Sequence, residues 1–187
     1  MQVAPALAEA CRRGEPEAFD ELVRSTHRAV YTLVLRIVGD PDDAADVTQD
    51  VYVRAWRGLK RFRGDANLAT WLYRIAANTA LTHVRRRGRL GTPTEPERLP
   101  EIPVADGSDR QADADVLEQA LASLPPEHRA AVVLKDVYGW TCEEIAEEMG
   151  TTAGAVKVRL FRARQRLADH LSSSGVVVPM GRKKAAR

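Results

Sequence analysis

The chain has little of what builds metal clusters, covalent cross-links or a large aromatic core. Aromatic residues fill only 5% of its 187 positions, which favours small helical packets of Ala, Leu, Val and Ile. Its cysteines, Cys11 and Cys142, are far apart and lie in neither a CxxC nor a His-rich spacing. They read as reduced thiols, not as a disulfide or metal pair. His27, His83, His128 and His170 show no metal spacing, and neither a phosphate-binding glycine loop nor a nucleophile motif is present. No catalytic residue, metal or cofactor is therefore expected, and an enzyme is a poor reading. No apolar run approaches the ~18 residues of a membrane span. The N-terminal MQVAPALAEACRRG lacks the basic start and apolar stretch of a signal peptide, so a cytoplasmic protein is expected.

Net charge is also small, +2 from 28 basic and 26 acidic residues, but the charges are segregated along the chain. The fold class expected is all-α: two small helical domains joined by a flexible acidic linker, the second containing a helix-turn-helix. In the first, residues 15–90, Phe19, Leu22, Val23, Val30, Leu33, Val34 and Ile37 recur at helical spacing. GDPDDA ends that helix and starts another, with Asp40 as cap, Pro41 at its first position and Asp42 and Asp43 at the positive end of the dipole. Val47, Val51, Ala55, Leu59 and Phe62 face inward next, and TWLYRIAANTALTHVRRR follows as one amphipathic helix. There Trp71, Leu72, Ile75 and Thr79 pack inward while Arg74, Asn78 and Arg85 form another strip. Mid-helix asparagine is a poor helix former, so Asn78 is either a buried hydrogen-bonding spacer or a reader.

Residues 91–115 carry four prolines and seven acidic residues against two arginines, with no helical period. The stretch 91–112 reads as an extended, solvated linker. A second domain, 113–171, resumes with Val116, Leu117, Ala120, Leu121 and Leu124, halts at Pro125-Pro126 and continues through EHRAAVVLKDVYG. Thr141 and Glu144 make a capping box, Ile145 and Met149 face inward, Gly150 supplies a left-handed stop, and Ala146 is small where two helices cross. On the following helix Val156, Leu160, Ala163 and Leu167 share one face. Lys157, Val158, Phe161, Arg162 and Gln165 lie opposite, flanked by Arg159, Arg164 and Arg166. Lys157 to Arg166 holds five positive side chains and no negative one, an electrostatic footprint for phosphate. The bland alternative is a solvated basic face. Residues 172–187 read as a disordered basic tail.

With these residues in view the chain resembles the extracytoplasmic-function (ECF) sigma factors of the sigma-70 family, which direct RNA polymerase to promoters. AFDELV, GDPDDAADVTQDVYVRAWRGLKRFRG, TWLYRIAANTALTHVRRR, SLPPEHRAAVVL and EEIAEEMGTTAGAVKVRLFRARQRL occur in family order and spacing. The resemblance implies that Asp46, Gln49, Asp50, Arg54 and Trp56 dock on the clamp helices of polymerase β′, with further contacts to β. It implies that Asn78, with the loop holding Asn67, Leu68 and Ala69, receives a base flipped from the minus-ten element. Arg74, Arg85, Arg86, Arg87 and Arg89 would line or grip the same DNA. The minus-thirty-five element would fall to Lys157, Val158, Arg159, Phe161, Arg162 and Arg164. Val158 departs from the family, standing where many members carry a small hydroxyl residue. An anti-sigma factor is the implied inhibitory partner. The rival readings are a stand-alone helix-turn-helix regulator, which predicts a dimer on palindromic sites, and an interaction module that sequesters another factor.

Overall fold

The computed structural model describes residues 3–62, 67–89 and 116–173. The expected linker, the tip of the RGDAN loop and the tail beyond Ser173 lie outside these residues. Everything regular among the described residues is helical. The first unit opens with α1 (Pro5–Arg13), which closes on Gly14 in the left-handed region, φ 81°. Three long helices follow: α2 (Pro16–Val38), α3 (Pro41–Leu59) and α4 (Leu68–Arg89). The break between α2 and α3 has local causes. Gly39 adopts φ 81° and returns its N–H to Leu35 O at 2.7 Å, and the Asp40 carboxylate accepts from Asp43 N at 2.8 Å. Asn67 starts α4 in the same manner, its Oδ1 accepting from Ala69 N at 2.9 Å.

The stripes expected on α2 and α3 are largely buried, whereas α4 buries Leu72 and Thr79 of its expected set, leaves Trp71 and Ile75 partly buried and adds Ala76, Ala77, Ala80, Leu81 and Val84. Val30, Leu33, Val34 and Ile37 of α2 cluster with Val47, Val51 and Ala55 of α3 and Leu72, Ala76, Ala77, Ala80, Leu81 and Val84 of α4. The alanine run lets α4 approach its neighbours closely, since interaxial distance follows side-chain size. Where α2 and α3 cross, the Thr26 and Tyr52 hydroxyls lie 2.9 Å apart, and Thr26 also donates to Leu22 O at 2.6 Å. These bonds satisfy polar groups that burial would otherwise penalise. Helix α1, which the sequence reading left outside the first domain, and Val3 just before it add Cys11 and the valine to a smaller cluster with Leu22, Leu59, Leu68 and Ala69.

The second unit comprises α5 (116–122), α6 (Pro126–Val132) running into a wide π-turn at Val133–Val137, α7 (Cys142–Met149) and α8 (Ala153–Ser173). Helix α8 thus continues two residues past the expected start of the tail. The capping box at Thr141 forms reciprocally, Glu144 N donating to Thr141 Oγ1 at 3.1 Å and Thr141 N to Glu144 Oε2 at 2.9 Å. Gly150 ends α7 at φ 59°. Val156, Leu160 and Ala163 of α8 are buried against Ile145, Ala146 and Met149. Leu117, among the residues with which the helical pattern resumes, is 42% exposed, on the outer side of α5.

The two units are docked. Their buried apolar side chains form one contiguous cluster that runs from α2–α4 into α5–α8. Arg129, only 3% exposed, reaches from α6 into the C-terminus of α2, donating through Nη2 to Val38 O at 2.6 Å and through Nε to Ile37 O at 3.3 Å. The last carbonyls of a helix have no intrahelical donor and carry its negative pole, so they suit a buried cation. Burial pulls the Arg129 pKa down to about 10, which leaves it charged at neutral pH. Arg36 and Glu118 make a second bridge at 2.8 Å.

Candidate nucleic-acid interface

On α8 the arrangement is that of a helix-turn-helix with its outer face bare. The buried stripe holds the helix against α6 and α7, so Lys157, Val158, Phe161 and Arg162 are turned outward. Phe161 is 67% exposed and Val158 49%. Lys157 and Arg162 make no ion pair among the described residues. Two arginines of the same helix are committed to its own unit: Arg159 to Glu127 at 2.5 Å, and Arg164 to both carboxylate oxygens of Asp136 at 2.5 and 3.1 Å. The structure therefore separates the predicted residues into an open set, Lys157, Val158, Phe161 and Arg162, and a braced set, Arg159 and Arg164.

Helix α4 carries the second group. Arg74, Asn78 and Arg85 share one strip, as their spacing requires. In the docked arrangement α7 lies along it. Arg74 Nη2 meets Glu144 Oε1 at 2.8 Å, and Arg85 Nη2 donates to Glu148 O at 2.9 Å. Hydrogen bonds from the Thr141 backbone and hydroxyl, with a smaller contribution from Arg74, hold the Glu144 carboxyl below its ordinary pKa. Asn78, between the two arginines, is half-buried, and its Oδ1 is enclosed without a hydrogen-bond partner among the described residues. Arg86 is exposed, while Arg87 pairs with Asp43 of α3. Asn67 is exposed yet spends its carbonyl on the α4 cap. The side chain of Arg89 lies outside the described residues.

The third group is on α3. Asp46, Gln49, Asp50 and Arg54 are all exposed, and Trp56 is 42% exposed with its ring 4.9 Å from that of Phe19. Val53, which sequence reasoning passed over, is 47% exposed on the same helix. Its place four residues after Gln49 and opposite the Val47, Val51 and Ala55 stripe was the signal that it points out.

These helices fall where two family profiles match: Sigma-70 region 2 over residues 22–90 and Sigma-70, region 4 over residues 114–167. The chain belongs to the sigma-70 family. It is 40% identical over 160 residues to the ECF RNA polymerase sigma factor SigE of Mycolicibacterium smegmatis, a match covering 83% of this chain and 62% of that protein. It is 34% identical to the RNA polymerase sigma-H factor of Pseudomonas aeruginosa, over 86% of this chain and 90% of that one. Among solved structures, the sigma factor RpoE in complex with the anti-sigma factor NepR from Bartonella quintana superposes with a TM-score of 0.61 at 26% identity, covering 82% of this chain and 96% of that chain. Units α1–α4 and α5–α8 thus carry region 2 and region 4 of an ECF sigma factor. No helix among the described residues is long and apolar enough to cross a membrane.

Proposed function

We propose that this sigma factor binds core RNA polymerase through the exposed face of α3, reads the minus-thirty-five element with α8, and opens and holds the minus-ten element with α4, working in the cytoplasm and without catalytic chemistry of its own. Region 2 spans 15–90 and region 4 spans 113–171. The observation that carries the reading is the outer face of α8: Phe161, two-thirds exposed, lies between Lys157 and Arg162, cations without an ion pair among the described residues, on a helix whose other face is buried. Such a face fits a major groove, where a guanidinium contacts guanine and an apolar group contacts the thymine methyl. Arg159 and Arg164, already braced, position the helix and contact phosphate.

On α4, Asn78 offers an amide with both donors and an acceptor to a base edge, and its unpartnered Oδ1 leaves that capacity unspent. Arg74 and Arg85 lie on the same strip, and Arg86 with Arg87 follows at the helix end. Because α7 engages Arg74 and Arg85 on this strip, region 4 must leave region 2 before those arginines are free to meet DNA. An anti-sigma factor that stabilises the docked arrangement would hold the factor inactive. The acidic stretch 91–112 serves as tether, its charge suited to a basic channel.

Run-off transcription with purified core polymerase on genomic fragments tests the proposal. Initiation at discrete starts is expected. A chain that binds DNA as a dimer without polymerase would be a stand-alone regulator, and one that binds neither would be an interaction module.

A further inference from the structure

A cleft of about 720 Å³ lies where region 2 and region 4 meet, lined by His83, Arg85 and Arg87 of α4, by Gly150 and Thr151 after α7, and by Arg159 of α8. Its volume falls within the roughly 300–1,000 Å³ of small-molecule sites. Its lining is cationic: among the described residues Glu127 is the carboxylate that lines it, and Asp43, outside the lining, pairs with Arg87. The guanidiniums also keep donors to spare, since each carries five N–H groups. Arg159 bonds Glu127 through Nη2, but its Nη1 is buried with no hydrogen-bond partner among the described residues. His83 Nε2 is a second buried atom there without a directed hydrogen bond, although Asp43 Oδ2 lies 3.2 Å away. Gly150 keeps the wall low, since a Cβ there would come within 3.3 Å of Arg85 Nη1.

Planar guanidinium forks match phosphate oxygens bidentately. Here the forks come from two separate units, so adjacent phosphoryl groups suit them better than a single one. We propose that this cleft binds a small polyphosphate anion, inorganic or nucleoside-linked, clamped between Arg85 and Arg87 of region 2 and Arg159 of region 4. A ligand that bridges the units favours the docked arrangement by mass action and so keeps α7 bonded to Arg74 and Arg85. That consequence rests on the promoter-reading role of α4; the binding itself does not.

Titration calorimetry of the full chain with pyrophosphate, ATP and adenosine at constant ionic strength tests it. Saturable binding of pyrophosphate and ATP, but not adenosine, is expected. Arg159→Ala should weaken it about tenfold or more, the loss of a charge-assisted contact, whereas Lys157→Ala, on the outer face of α8, should leave it unchanged. Thr151→Glu, which adds a carboxylate to the lining while keeping Arg159, should abolish binding and serves if Arg159→Ala does not fold. Equal affinities for pyrophosphate and ATP would assign the phosphate chain alone, and a tighter ATP would assign a nucleotide. Absence of saturable binding, or equal weakening by Arg159→Ala and Lys157→Ala, overturns the proposal. Initiation assayed on the same wild-type preparation keeps the two ideas apart: initiation without polyphosphate binding sinks only the cleft, and the converse sinks only the promoter role.

Discussion

Arg129 offers the sharpest test of how the two regions are held together. Replacing it with alanine removes donors from Ile37 O and Val38 O, which lie at a buried helix end with few other partners. Each unsatisfied buried carbonyl costs about 1–3 kcal/mol, and water entering the vacated space recovers part of that. Arg129 also pays a desolvation penalty that its loss relieves. The net expectation is about 2–4 kcal/mol of destabilisation, falling on docking more than on either helical packet. Gly39 reports on the same contact from the other side. A Cβ there would meet the Arg129 guanidinium at 2.3 Å on a backbone with φ 81°, so Gly39→Ala combines a left-handed cost of roughly 1–2 kcal/mol with displacement of the arginine. Only the second part vanishes when Arg129 is already gone. The double variant should therefore lose about 1–2 kcal/mol less than the sum of the singles. Denaturant unfolding measures the cycle, and fluorescence energy transfer between labels on region 2 and region 4 measures docking. Strict additivity, or an unchanged inter-region distance in Arg129→Ala, would refute the latch.

The other expectations concern DNA and protons. Asn78→Ala should leave closed promoter complexes nearly intact and weaken open ones, with partial recovery on a template already mismatched at the minus-ten element, because a mismatch removes the unpairing cost but not the lost base contacts; normal open complexes together with a lowered melting temperature would make Asn78 structural. Arg162→Ala should cost about 1–3 kcal/mol on the cognate minus-thirty-five element and little elsewhere, and equal loss on every sequence in gel-shift titration would reassign it to phosphate. Burial, aided by Arg86 for His83 and by Arg166, Arg159 and Arg162 for His128, holds both imidazoles below their ordinary pKa. The unfolded chain then binds the extra protons, so the stability they contribute is full above about pH 6.5 and is lost as pH falls through the lowered folded values. Melting curves of His83→Gln/His128→Gln should fall less steeply than wild type on acidification, and parallel curves would contradict this.

Much of this molecule was written locally. Asp40 beside Pro41, the Thr141–Glu144 box and Gly150 each act within one turn of helix, so the boundaries they set could be read from neighbouring residues and recur in the structure. The inward stripes of α2, α3, α4 and α8 follow from a period that the chain carries with it. The outward set of Lys157, Phe161 and Arg162 was legible as the complement of one such stripe. Other features depend on partners far along the chain. Leu117 sits on a short helix whose direction is set by neighbours, and its apolar side chain ended outside. Helix α1, left outside the first domain by the sequence reading, gains its place from the cluster around Cys11 and Leu22. Above all, the docking of region 4 on region 2 had no sequence signature. Arg129 looks like any surface arginine in EHRAAV, because its partners are the backbone carbonyls of Ile37 and Val38, and a carbonyl is the same whatever residue bears it. Sequence determined the two helical packets and the faces they present; only tertiary structure decided that α7 bonds Arg74 and Arg85, since those pairings join groups 70 and 63 residues apart.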